Sequence, residues 1–297
     1  MPHDPEELDA TATAPAHGEI APATAMGAVH LTVSDLDRSL GYYRSVVGLR
    51  VLESGAGRAS LGAGERELLV LIEEPGAQPA FGYTGLFHFA LLLGQRADLA
   101  RWLAHAARDR VRLTGVADHF VSEALYLDDP DGHGIEIYWD RPRDVWEGQV
   151  AERMTTVRLD VDSLLGELDD PAAEPFHGLS AATVMGHVHL RVADVGQSVA
   201  FYRAVLGFGL MAQLGDQAAF LAAGGYHHHL GANTWESRGA GPPPPGMAAL
   251  RHATIVLPDD AERQRLLARA DAAGRVEETG AGPIVRDPAG NALLLTA

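Results

Sequence analysis

An internal repeat with one mismatch limits the fold of this chain more than any other feature. Met26-Gly-Ala-Val-His30-Leu, Val33-Ser-Asp-Leu, Tyr43-Arg44 and Gly48 return in the second half as Met185-Gly-His-Val-His189-Leu, Val192-Ala-Asp-Val, Tyr202-Arg203 and Gly207. Asp129-Pro-Asp-Gly returns as Asp287-Pro-Ala-Gly. Glu136, however, becomes Leu294. A carboxylate able to bind metal exists in one copy only, so the two halves cannot do the same job.

A chain of 297 residues has room for two domains with proper cores. The repeat sets the division: a tail over residues 1–25, a first domain over 26–140, a connector over 141–183 and a second domain over 184–297. The tail is read as flexible from its Ala, Pro, Thr and acidic composition. Net charge is −17, which argues against a nucleic-acid partner. The chain has no cysteine, which excludes disulfides and thiolate sites and fits a reducing compartment. No apolar run reaches membrane-span length, and the acidic start lacks a signal-peptide core. A cytoplasmic protein with no membrane partner is expected.

Within each half a short pattern recurs. Gly27 to Val33 reads as a strand. Asp35 is an N-cap, and Leu36, Leu40, Tyr43 and Val47 follow at helical spacing up to Gly48. Short strands follow at Leu49–Leu52, Ala59–Leu61 and Leu68–Ile72. The pattern restarts at Phe87, with a helix over Ala97–Arg108 and strands near Val111, near Leu125 and at Ile135–Tyr138. It restarts again at His187 and at Arg251. The result is an α+β chain of four β-α-β-β-β units in two tandem domains. Gly239 to Gly246, with four prolines, is an extended linker between units three and four.

Four such units in a row resemble the vicinal oxygen chelate superfamily, which includes glyoxalases, bleomycin-resistance proteins and extradiol dioxygenases. The resemblance implies paired curved mixed sheets that form a cup around one metal. His30, His88, His189 and His252 each fall in the first strand of a unit, and Glu136 in a last strand. Two imidazoles and a carboxylate suit a facial triad with open positions. Pairing within halves would join His30, His88 and Glu136. Pairing unit two with unit three would join His189, His88 and Glu136, and would leave His30 and His252 in a site without a carboxylate.

Longer segments sharpen the resemblance: Ser122-Glu-Ala-Leu-Tyr126-Leu, Asp131-Gly-His-Gly-Ile-Glu136-Ile-Tyr-Trp-Asp-Arg-Pro142 and Gly224-Gly-Tyr-His-His-His-Leu-Gly-Ala-Asn-Thr-Trp235. They are similar to bacterial two-domain catechol 2,3-dioxygenases. There the matching histidine and tyrosine, His119 and Tyr126 here, lie beside the substrate oxygens. A His-His pair stands on the last strand of the other unit. Unit one lacks it, whereas unit three carries His227, His228 and His229, so the reading favours the two-three pairing.

Strand alternation allows only part of that histidine run to face inward, and His228 is the choice. The resemblance implies metal ligands His88, Glu136 and His189, with His228 as acid–base group and His119 and Tyr126 positioning the substrate. The cofactor is iron(II), with manganese(II) as the alternative. The substrates are a catechol-type diol and O2, and the setting is aromatic hydrocarbon catabolism. Trp235 and Asn233 are candidates for the pocket rim. A homo-oligomer is expected. The competing readings are a glyoxalase-like isomerase or resistance transferase, and a non-catalytic aromatic binder.

Overall fold

The computed structural model describes residues 18–280 and 282–297. Its organising feature is crosswise pairing of the units. Unit one runs from the strand Ala25–Val33 through the strands Arg50–Gly55, Arg58–Ala63 and Arg66–Glu73. Unit two comprises Gly85–Leu92, Gly115–Asp118, Ser122–Asp128 and Gly134–Asp140. Unit three comprises Val184–Arg191, Gly209–Leu214, Ala218–Ala222 and Leu230–Asn233. Unit four comprises Leu250–Val256, Val276–Thr279, Gly282–Arg286 and Ala292–Thr296. Units one and four share one 8-stranded sheet, and units two and three share the other. In each sheet the first strands of the two units pair antiparallel at the centre. Each first strand runs parallel to the last strand of its own unit.

Alternation sorts the side chains. Val188 and Leu190 are fully buried in the main core, as are Phe89 and Leu91 and also Ile135 and Ile137. Their neighbours His187, His189, His88, Ala90, Glu136 and Tyr138 therefore turn to the opposite face, the inside of the cup. The polar site is a by-product of the same alternation that fills the core.

The repeated Tyr and Asp-Pro-x-Gly signals are structural. Tyr43 Oη donates to Asp129 Oδ2 at 2.8 Å and Tyr202 Oη to Asp287 Oδ2 at 2.6 Å. Asp129 Oδ1 also accepts from the backbone N–H of Asp131 and His133, and Asp287 Oδ1 from that of Ala289 and Asn291. Each pair ties the helix of one unit to the turn that aims the last strand of the next. Gly48 and Gly207 close those helices at φ 92° and 84°, backbone that a Cβ disfavours. Asp35, Asp194 and Asp259 cap helix starts through their carboxylates.

Three expectations change. Residues 18–25, expected in the flexible tail, pack onto the molecule: Ile20 is buried, its N–H donates to Gly207 O, and Arg269 donates to Gly18 O. Residues 1–17 of that tail lie outside the described residues. The strand expected near Val111 begins at Gly115, because Val111 N–H instead returns to Ala106 O to close the preceding helix. The connector holds three short helices and is partly core, with Trp146, Leu159 and Leu164 buried.

Candidate metal centre

Two rows of side chains cross the second sheet. In the first, His187 lies opposite Ala90, Ala90 beside Glu136, and Glu136 opposite Tyr126. In the second, His189 lies opposite His88, and His88 beside Gly134. Small Ala90 leaves the gap across which His187 reaches Glu136: Nε2 stands 3.0 Å from Oε2. His88 Nε2 approaches the same oxygen at 3.0 Å. The donor atoms of His88, Glu136 and His187 all lie within 4.8 Å of one another, and all three residues are buried.

The sequence reading gave the third position to His189; in the structure the donor that converges with His88 and Glu136 is His187. The two face the same side, so alternation permits either. Cross-strand register decides between them, and register irregularities bracket the pair between Met185 and His187 and between His189 and Leu190. One signal could have found His187. Its counterpart in the first repeat is Ala28, so it differs between copies just as Glu136 differs from Leu294. His189 remains in the cup wall, its ring 5.0 Å from that of His88 and flanked by Phe87, Phe220 and Trp235.

The residues fit an ion. His88 Nε2 is buried and makes no hydrogen bond despite its short distance to Glu136, and His189 Nε2 is likewise buried without a partner. Unsatisfied buried nitrogens are costly unless something binds them. Burial alone would raise the Glu136 pKa; the His187 charge and hydrogen bond overcome it and hold the carboxyl well below its ordinary value. Burial lowers His187, against the pull of Glu136. Burial, and then His88 and His187, lowers His189 well below its ordinary value. An ionised Glu136 beside a His187 ring whose protonation burial disfavours is the state in which both can donate lone pairs to an ion.

The other residues singled out from the sequence surround this group. His119 Nε2 lies 2.8 Å from Tyr126 Oη, and His119 Nδ1 is 2.8 Å from Thr155 O. The carbonyl can only accept, so His119 Nδ1 donates to it, and this fixes the ring with Nε2 in hydrogen-bond reach of the Tyr126 hydroxyl. Thr155 belongs to the connector, so that segment orients a residue of the cup. His227, His228 and His229 do not sit on the strand, which starts at Leu230. In this irregular stretch alternation does not apply, and all three are buried.

The His228 ring packs 4.0 Å from that of His187. Its Nδ1 is 2.8 Å from His227 Nδ1, and His227 Nε2 is 2.8 Å from Asp140 Oδ1. Asp140 also accepts from Tyr226 Oη, which bonds to Tyr138 Oη. Burial, then the neighbouring imidazoles, lowers His228 well below its ordinary value. Trp235 stands 47 % exposed against Phe87 and His189, whereas Asn233 is wholly buried.

The other sheet keeps two of the four repeated histidines. His30 and His252 stack at 3.9 Å, with Leu294 at the place of Glu136. Burial, then His252 and the nearby arginines, lowers His30 to about 3. Burial, then Arg251, lowers His252 to about 4. In the unfolded chain both titrate near about 6.5. Their neutral forms therefore contribute stability that is complete above that pH and is lost as pH falls toward the folded values. The urea midpoint is expected to fall between pH 7.5 and 4.5, and His252→Phe is expected to reduce that fall. Equal slopes for the two proteins would contradict the assignment.

The sequence profile of the Glyoxalase/Bleomycin resistance protein/Dioxygenase superfamily matches residues 25–137 and 184–295. With this fold and buried cup, the chain belongs to that superfamily. A curated relative, catechol-2,3-dioxygenase of Bacillus subtilis (strain 168), is 42% identical over 280 residues, which cover 91% of this chain and 96% of the relative. Among solved structures, one from Bacillus subtilis subsp. subtilis str. 168 superposes with TM-score 0.61 at 13% identity, covering 94% of this chain and 86% of that one. Glyoxalase I from Zea mays does so with TM-score 0.57 at 18% identity, covering 92% of each. At those identities the structures speak for the fold alone.

Proposed function

We propose that the protein is an extradiol ring-cleaving dioxygenase acting on a catechol-type diol, with His88, Glu136 and His187 holding iron(II). The observation that carries the reading is the convergence of those three buried donors beside His119, Tyr126 and His228 in one cup. The B. subtilis relative supports the substrate class. Iron(II) bound there would supply Lewis acidity and one-electron chemistry toward the diol and O2.

The protein's own residues do the rest. His228, neutral and oriented through His227 by Asp140, is placed to take a proton from a substrate hydroxyl and return it later. Tyr126, anchored by His119, offers its phenolic oxygen to a substrate oxygen beside Glu136. Burial pushes the Tyr126 hydroxyl well above its ordinary pKa, so it stays protonated and neutral. Phe87, His189 and Trp235 form an aromatic wall against which a flat ring can stack.

Oxygen uptake with catechol, by protein loaded anaerobically with iron(II), tests the reading. A yellow ring-opened product is expected, and Tyr126→Phe should lower kcat by roughly 10–100-fold while metal content is kept. Metal-loaded protein that consumes no O2 over a panel of substituted catechols, yet isomerises a glutathione hemithioacetal, would replace this reading with the glyoxalase one.

A further inference from the structure

The strand Gly134–Asp140 carries Glu136, Tyr138 and Asp140 on one face, because alternate residues point the same way. Glu136 stands at the metal centre. Asp140, four residues on, ends a file of polar groups that leads from the cup to solvent.

The file starts at His228, which is 8 % exposed and packs against His187 and Phe220 with ring centroids at 4.0 and 5.1 Å. Its Nδ1 lies 2.8 Å from His227 Nδ1, while its Nε2 makes no hydrogen bond among the described residues. His227 is wholly inaccessible, and its Nε2 lies 2.8 Å from Asp140 Oδ1. The Asp140 side chain is 18 % exposed, so the last group in the file touches water. Its other oxygen, Oδ2, accepts from the Tyr226 hydroxyl at 2.8 Å, which keeps Oδ1 turned toward His227.

Aromatic rings sheathe the middle of the file. Tyr226, Trp146 and Tyr138 surround His227 with centroids at 4.0, 5.6 and 6.2 Å. The Trp146 indole N–H is spent on Arg141 O, and the two tyrosine hydroxyls bond to each other and to Asp140. None of these groups diverts a hydrogen bond from either imidazole. Charge gives the file a use. An extra proton held on His228 would be a buried cation beside His187, and burying a charge without a partner is costly. A proton taken up there is better passed on than kept.

We propose that Asp140 and His227 are positioning residues that fix the His228 tautomer and carry its proton to and from solvent, an inference that rests on the dioxygenase reading above. In this arrangement Asp140 Oδ1 accepts from His227 Nε2, His227 Nδ1 accepts from His228 Nδ1, and His228 Nε2 is left as the base. When Nε2 takes a proton from a substrate hydroxyl, the Nδ1 proton of His228 passes to His227, and the Nε2 proton of His227 passes to Asp140. One proton enters the file, one reaches the surface, and neither ring is left with an extra proton. Return of a proton to the reacting substrate runs the same transfers backwards and restores both tautomers.

Anaerobic mixing of the iron-loaded protein with catechol, with a pH indicator in weak buffer, tests this without O2. The parent should release protons rapidly, and Asp140→Asn should release them at least roughly tenfold more slowly. In O2 uptake, Asp140→Asn should lower kcat by roughly 100-fold and leave KM and metal content near the parent values. Asp140→Glu, which keeps a carboxylate, should recover part of the loss. Asp140→Asn combined with His227→Phe should cost no more than the worse single change, because the two act in series. Unchanged proton release and kcat in folded Asp140→Asn overturn the relay. A loss confined to KM does so too, as do effects of the two substitutions that simply multiply. A metal-loaded parent that consumes no O2 with catechols removes the dioxygenase reading and the relay together, whereas an active parent with an unimpaired Asp140→Asn variant removes the relay alone.

Discussion

His187→Ala is expected to lose bound iron and oxygen uptake together, whereas His189→Ala keeps its metal. The two histidines sit on one strand and one face, both nearly inaccessible to solvent. What separates them is the row each occupies. His187 meets Glu136 Oε2 at 3.0 Å across Ala90. His189 pairs with His88 instead and has no place among the converging donors. Removing a residue that merely orients a ligand typically costs about 10–100-fold in metal affinity, so removing a ligand should cost more than roughly hundredfold.

Metal analysis after gel filtration, at matched protein concentration and with His30→Ala as a third sample, checks this. His30 stands in the other sheet, so that variant should match the parent in both metal and activity. Metal retained in His187→Ala and lost in His189→Ala would return the position to His189.

Gly186→Ala is expected to destabilise the protein and disturb the centre at once. A Cβ on Gly186 would stand 1.7 Å from Tyr138 Oη and 2.7 Å from its Cζ. Tyr138 is fully buried, so the ring cannot swing into solvent, and either it or the strand must shift. Overpacking of this kind costs about 1–3 kcal/mol, and each kcal/mol lowers the melting temperature by roughly 2–4 °C in domains of 150–250 residues.

The shift would also break the Tyr138–Tyr226–Asp140 chain that holds His227, and Gly186 itself lies on the strand that carries His187. Activity should therefore fall further than stability alone explains. Gly41→Ala is the control: a Cβ there meets nothing within 4 Å in the helix Leu36–Tyr42, and alanine should stabilise that helix by about 0.5–1 kcal/mol. Equal melting curves for the two variants would contradict the steric account.

Much of this was legible from residue order because the repeat says it twice. The unit boundaries follow from helix caps such as Asp35 and glycine stops such as Gly48, which are local signals. The pairing of units two and three followed from asking which units together carry a full set of polar groups. Register was not legible. Choosing between His187 and His189 needs to know which residue of Gly85–Leu92 each faces, and that depends on irregularities spanning two strands. The histidine run at 227–229 precedes the strand that starts at Leu230, so strand periodicity alone does not single out His228. The Thr155 carbonyl that orients His119 carries no side-chain signal at all.

The crosswise pairing also sets an order of events at the ribosome. The sheet that carries Glu136 comes from one continuous stretch, Gly85 to Asn233, and can close as soon as unit three has emerged. The strand Ala25–Val33 must wait for Leu250–Val256, made almost last. During that interval it offers an unpaired edge, the kind of surface that recruits other chains. Closure over so long a loop is slow from a fully open chain. It becomes easier once the inner sheet is folded and draws the two ends of the chain together. Nascent chains of this protein are thus most vulnerable to aggregation late in synthesis, after the sheet that carries His88, Glu136 and His187 is already complete.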